Sequence, residues 1–193
     1  MNQIQQHIKL GEVYRRSDLE YYSSSIDRHL AELTKEGILL KISQGLYYSP
    51  RISKFGTVPP DDNMLIERFL KDEDFLLITP NSYNTLELGL TQLYNITWVY
   101  NHKRKGKFEL NGKCFEFKLK TSFPNVITRE FLLVDLLNNL EFLAEDKVLL
   151  LSKLTLKLKE YNLIDLMKII QKYGSGKTKQ LLKSIIRRNF SNE

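Results

Sequence analysis

Residues 23–50 read SSSIDRHLAELTKEGILLKISQGLYYSP, and the period of their apolar residues changes once along the way. Ile26, Leu30 and Leu33 fall at i, i+4 and i+7, which is one apolar stripe of a helix. Ser24 and Asp27 stand three apart at its start as a capping pair, and Gly37 stops it. From Ile38 the pattern turns β-rich, in runs 38–42 and 46–49 separated by Ser43, Gln44 and Gly45, so a hairpin with glycine in its turn is expected before Pro50 closes the block. Upstream, Ile4, Ile8 and Val13 mark a short first helix, and RRSDLEYY (15–22) a second one capped near Ser17. Two short helices, a striped helix and a tight hairpin are the order of a winged helix-turn-helix, whose third helix enters the major groove while the hairpin lies along the backbone.

Stepping about 100° per residue away from Ile26 turns Ser24, Arg28, Ala31 and Lys35 to the side opposite the stripe. Those side chains are the expected groove-facing groups: Arg28 forks onto a guanine edge or a phosphate, and Ser24 and Ser25 donate to phosphate at the helix start. Gln44 at the hairpin tip reaches backbone or minor groove, Lys41 lies on the same hairpin, and Arg15 and Arg16 add charge where the second helix would cross the backbone. The expected DNA-binding set is therefore Arg15, Arg16, Ser24, Ser25, Arg28, Lys35, Lys41 and Gln44. A winged helix that binds protein instead would present the same solvated face.

Beyond Pro59 and Pro60 the composition changes, so a winged helix-turn-helix domain over 1–56 and a second domain over 57–193 are expected. The second domain reads as mixed α+β with a small sheet and a helical C-terminal portion. A helix is expected at 62–70, a strand at 75–79, a helix from Pro80 to near Gly89 and a strand at 96–100. Asn111-Gly112 between Phe108, Leu110 and the alternating Phe115, Phe117, Leu119 is the strongest hairpin signal in the chain. From Thr128 the pattern is helical, with Leu132, Leu133, Leu136, Leu137 and Leu140 on one helix and others at 149–161, 163–173 and 181–190. The alternation of Leu154, Leu156 and Leu158 also suits a strand.

SSIDRHLAELTKEGILLKISQGLYYSP (24–50), LLITPNSYNTLELGLTQ (76–92) and the basic hairpin KRKGKFELNGKCFEFK (103–118), in that order, give the chain a resemblance to the AbiEi family of bacterial antitoxins over about two thirds of its length. The resemblance implies an N-terminal winged helix that represses its own operon. It also implies a C-terminal domain that, with the first, counteracts a nucleotidyltransferase-like toxin of a type IV toxin–antitoxin pair, with or without touching it. The partners implied are double-stranded DNA of its own promoter region and such a toxin. A winged-helix repressor unconnected to any toxin, or a metal-dependent nuclease, are the alternatives.

The chain has 193 residues and a net charge of +6, unevenly spread. Counting Lys and Arg against Asp and Glu, residues 1–58 carry +2, 59–100 carry −5, 101–131 carry +5 and 132–193 carry +4. That is a confined basic surface rather than a polybasic binder. Lys103, Arg104, Lys105 and Lys107 form a second basic patch fit for phosphate or an acidic protein, and Lys177, Lys179, Lys183, Arg187 and Arg188 form a strip along the last helix beside Leu181, Leu182, Ile185, Ile186 and Phe190. One cysteine, Cys114, allows neither an intramolecular disulfide nor a Cys-rich zinc site. The N-terminal residues lack an apolar signal core and the longest apolar runs, such as 148–151, are far too short for a membrane span, so a cytoplasmic protein is expected.

Other motifs resolve to bland explanations. Gly174 to Thr178 lacks the GxxxxGK[ST] spacing and the strand that a phosphate loop needs. Asp72-Glu73-Asp74 reads as a solvated charge cluster. Asp61 with Glu116 and Lys118 has the order of a metal nuclease's carboxylates and lysine, but a polar outer face of the hairpin accounts for Glu116 and Lys118 equally. His7, His29 and His102 are too scattered for a metal centre. No catalytic residue, metal or cofactor is expected, and the chain is read as a non-enzyme.

Overall fold

The computed structural model describes residues 3–190, and over these the chain is mixed α+β with small sheets and a run of C-terminal helices. The chain divides into two units that interleave in sequence: residues up to 75 together with 102–117, and 76–101 together with 118 onward. Segment 1–56 lies within the first unit, whereas 57–193 is shared between the two. Among the described residues no helix is long and apolar enough to cross a membrane.

The first unit begins with a 3₁₀ turn, Gln3–His7, that buries Ile4. Strand β1 (Val13–Arg15) follows, and Val13 is thus a strand residue, not part of a first helix. Its apolar side chain fits either assignment in a segment too short to show a period. Helix α1 (Arg16–Leu19) starts two residues earlier than a cap at Ser17 places it: Arg15 is the cap residue, and Asp18 in the first turn accepts from its backbone N at 2.9 Å. Helix α2 (Ile26–Lys35) buries Ile26, Leu30 and Leu33 as the stripe demands. The Ser24–Asp27 capping pair does not form: Ser25 is the cap residue without a side-chain bond, and Ser23 Oγ accepts from Ser25 N instead. At the other end Ile38 N bonds Leu33 O and Gly37 N bonds Thr34 O, a Schellman closure in which Gly37 takes φ 74°.

Strands β2 (Leu40–Ser43) and β3 (Leu46–Tyr48) form the expected hairpin, with β1 added on the other side of β3. Both pairings are antiparallel, with Val13 opposite Tyr48 and Arg15 opposite Leu46. A second small hairpin, β4 (Arg51–Ser53) with β5 (Gly56–Val58), follows Pro50 and was not expected. Ile4, Leu19, Ile26, Leu30, Leu33 and Leu39 make one core under α2.

Helix α3 (Asp62–Leu70) is capped by Asp61, which accepts from Met64 N at 3.0 Å, and ends on Lys71 in the left-handed conformation, φ 57°. Residues 102–117 supply β8 (Gly106–Leu110) and most of β9 (Lys113–Leu119), numbered after two strands of the second unit, β6 (Phe75–Ile78) and β7 (Thr97–Asn101). β8 and β9 pair antiparallel with Phe108 opposite Phe115. Phe69 of α3 packs on Phe108 and Phe117 at ring-centroid distances of 5.1 and 5.2 Å, which joins this hairpin to α3.

In the second unit β6 lies beside β7, and the helix expected from Pro80 to near Gly89 is a 3₁₀ helix, Pro80–Leu86. Four α-helices follow: α4 (Arg129–Asn139), α5 (Lys147–Lys157), α6 (Leu163–Tyr173) and α7 (Gly176–Phe190). Leu154, Leu156 and Leu158 are helical, not a strand: Leu154 and Leu158, four apart, are buried, and Leu156 is exposed. Leu182 and Ile185 of α7 enter the core, with Leu181 and Ile186 packed against it, while the side chain of Phe190 lies outside the described ones. Gly174 and Ser175 join α6 to α7, which starts at Gly176, and Ser175 Oγ accepts from Thr178 N at 3.2 Å.

A polar cluster sits inside this core. Asp135 of α4, 2% exposed, accepts from Tyr83 Oη at 2.6 Å, Tyr100 Oη at 2.9 Å and Asn139 Nδ2 at 3.2 Å. Burial holds the Asp135 carboxyl above its ordinary range, against the opposing pull of the two tyrosine bonds and of the Lys120 and Lys118 charges. Burial beside that carboxylate likewise raises the Tyr83 and Tyr100 hydroxyls.

Candidate nucleic-acid interface

With the apolar stripe of α2 turned inward, Ser24, Ser25, Arg28, Ala31 and Lys35 are all exposed. Lys35 and Lys41 come together with Ala31 and Tyr47 around a shallow cavity of about 530 Å³, so the outer face of α2 and the first strand of the hairpin make one continuous surface. Asp27 also lines that cavity.

The two arginines that sequence places near this surface differ in their commitments. Arg16 donates to both oxygens of Asp27, at 2.7 and 2.9 Å, and to Glu20 at 2.7 Å. The bond to Asp27 raises the guanidinium pKa and lowers that of the carboxylate in return. A bidentate pair of this kind is geometrically specific and slow to trade. Arg28 makes only a 3.5 Å ion pair with Glu32, its side chain 72% exposed. Such an i,i+4 surface pair is worth a few tenths of a kcal/mol, so Arg28 is the side chain that can exchange its partner for a phosphate or a base.

Arg15, Arg16 and Gln44 line a second cavity, of about 320 Å³. Gln44 sits in the hairpin turn next to Gly45, φ 71°, and Arg16 N donates to Gly45 O at 2.9 Å, which ties the start of α1 to that turn. Arg104 lines the same cavity, so one member of the second basic patch joins the first set. Arg68 and Lys71 do so too; they are the two basic residues of the acidic stretch 59–100, and its net charge hid them from sequence reasoning. Their spacing, three apart at the end of α3, is the available signal.

The other members of the second patch do different things. Lys103 pairs with Asp72 at 2.8 Å and donates to the Lys71 carbonyl at 3.1 Å, and His102 Nε2 lies 3.2 Å from Asp74. Asp72 is held below the usual carboxylate range, first by the Lys103 bond. The acidic run 72–74 thus anchors the basic segment. Lys105 and Lys107 are exposed. The nuclease-like trio is dispersed in role: Asp61 caps α3, Glu116 lies opposite Lys107 on the hairpin, and Lys118 Nζ sits 3.4 Å over the Trp98 ring while bonding Asn139 Oδ1. Among the described residues no three His, Cys, Asp or Glu side chains gather as a metal site would require.

Comparison of the chain with protein-family models, with curated proteins and with solved structures gives no match.

Proposed function

We propose that residues 1–56 are a winged helix-turn-helix that binds double-stranded DNA, and that the protein is a transcriptional regulator of its own promoter acting as the antitoxin of a type IV pair. The observation that carries the DNA reading is the shared surface of Lys35 on α2 and Lys41 on β2, with Arg28 two turns back along the same helix and weakly held. This is where a helix would sit in the major groove with a hairpin against the neighbouring backbone. The order α1, α2, β2, β3 and the exposed serines at the start of α2 support the same reading. The antitoxin part rests on the resemblance carried by 24–50, 76–92 and 103–118.

DNA from upstream of the gene, titrated by fluorescence anisotropy, tests the DNA reading. Arg28→Ala should weaken specific binding by about 1–3 kcal/mol, while Arg16→Ala, whose guanidinium is held by Asp27 and Glu20, should act mainly through stability. Unchanged operator affinity in Arg28→Ala removes α2 as the recognition helix. For the second part, co-expression with a neighbouring nucleotidyltransferase-like gene should restore growth that the toxin alone arrests; continued arrest leaves a repressor without a toxin.

A further inference from the structure

The cavity beside the β2–β3 turn has a composition that a DNA-facing surface alone does not require. Five of the eleven residues that line it are cationic, namely Arg15, Arg16, Arg68, Lys71 and Arg104, and none is acidic. Asp18, Glu20 and Asp27, which pair with Arg15 and Arg16, lie outside the lining. Two donors in it are stranded: Nε of Arg15 and Nε of Arg68 are buried without a hydrogen-bond partner, Arg15 Nε meeting Asp18 Oδ1 only as an ion pair at 3.4 Å. A buried N–H without a hydrogen-bond acceptor is unfavourable, so two at one cavity mark a place where an acceptor of high charge belongs.

The remaining lining fits the same kind of ligand. The Arg104 guanidinium is stacked 4.4 Å from the Phe69 ring centroid, which fixes its plane at the cavity wall. Ser17, Ser43 and Gln44 add neutral donors. Arginine forks suit phosphate oxygens better than they suit a monovalent anion. A cavity of about 320 Å³ holds more than bare phosphate; it lies at the small end of the range for small-molecule sites. We propose that this cavity binds a phosphate monoester of up to mononucleotide size, its dianionic phosphate seated among Arg15, Arg68 and Arg104. This site does not depend on the protein binding DNA, although Arg15, Arg16 and Gln44 belong to both surfaces.

The experiment is isothermal titration of the full chain with adenosine monophosphate and with inorganic phosphate, in the absence of nucleic acid and at constant ionic strength. One saturable site is expected, tighter for the mononucleotide than for phosphate. Arg68→Gln should weaken it about tenfold or more, the loss of a charge-assisted bond. Lys71→Asn, in which Asn accepts the left-handed φ of 57°, should weaken it less. Thermal melts of both variants check that they fold, and a variant that fails to fold is replaced in the comparison by the other. No saturable binding by the wild-type chain, or wild-type affinity in both variants, overturns the site. Weakened binding of duplex DNA by Arg68→Gln, with no binding of either small ligand, also overturns it and makes the cavity a seat for a backbone phosphate. Operator binding lost in Arg28→Ala with mononucleotide binding intact separates the two surfaces.

Discussion

Asp135 is a buried carboxyl group bonded by Tyr83, Tyr100 and Asn139, and its effect on stability has a definite sign. Burial raises its pKa in the folded chain above the ordinary value of 3.8, so the native state holds that proton more tightly than the unfolded one. Stability from this group is therefore present below pH 3.8 and is lost as pH rises through the folded pKa. Asp135→Asn keeps an acceptor for the tyrosine hydroxyls and removes the titration. Its stability relative to wild type, from urea denaturation at a series of pH values, should grow from near pH 4 upward and then level off; parallel profiles would show that the carboxylate carries no net penalty. Asp135→Ala should be less stable than both throughout, since Tyr83 and Tyr100 lose their acceptor at a cost of about 1–3 kcal/mol. This cluster was half legible. Asp135 and Asn139 fall on the helix that the leucines 132–140 mark, but nothing in one sequence says that Tyr83 and Tyr100, 52 and 35 residues before Asp135, will meet them.

Elements were legible where an apolar period and a punctuating residue agree. The stripe of α2 with Gly37, the Asn111-Gly112 hairpin, and α3, α4 and α6 with their Asp or Asn or Thr caps are such cases. Three-residue strands such as β1, β4 and β5 are shorter than any period, which is why Val13 was misplaced and the second hairpin was missed. The turn glycines make this testable. Asn111 at φ 52° and Gly112 at φ 73° form the left-handed pair that a two-residue hairpin needs, and a Cβ at Gly112 meets no atom within 4 Å. Gly112→Ala therefore suffers backbone strain alone and should lower stability by about 1 kcal/mol. Gly176, at the start of α7, also has open space but no positive φ. Gly176→Ala should raise stability by roughly 0.4–1 kcal/mol, by removing freedom from the unfolded chain. Thermal melts in which Gly112→Ala fails to lower stability would mean that the Asn111-Gly112 turn is not of this type, and a lower melt for Gly176→Ala would refute the second expectation.

At the scale of the whole chain, net charge is a poor guide to where an anion would bind. Of the total of +6, the first unit carries +1, from 15 basic and 14 acidic residues, and the second carries +5, from 14 and 9. The N-terminal surface therefore works by arrangement: its acids pair with Arg16, Arg15 and Lys103, while Arg28, Lys35 and Lys41 face outward. Interleaving of the two units in sequence is also why Arg68, Lys71 and Arg104 reach one cavity, something that segment-by-segment charge counting cannot show. If two to four of these cations meet phosphates, counterion release sets the slope of log K against log salt at about −2 to −4. Operator binding measured by anisotropy across a range of potassium chloride concentrations should give that value, and Lys35→Ala should reduce its magnitude by about 1. A slope near zero would remove the DNA reading. One steeper than about −6 exceeds what the outward cations of the first unit supply, and would bring the +5 of the second unit into the interface.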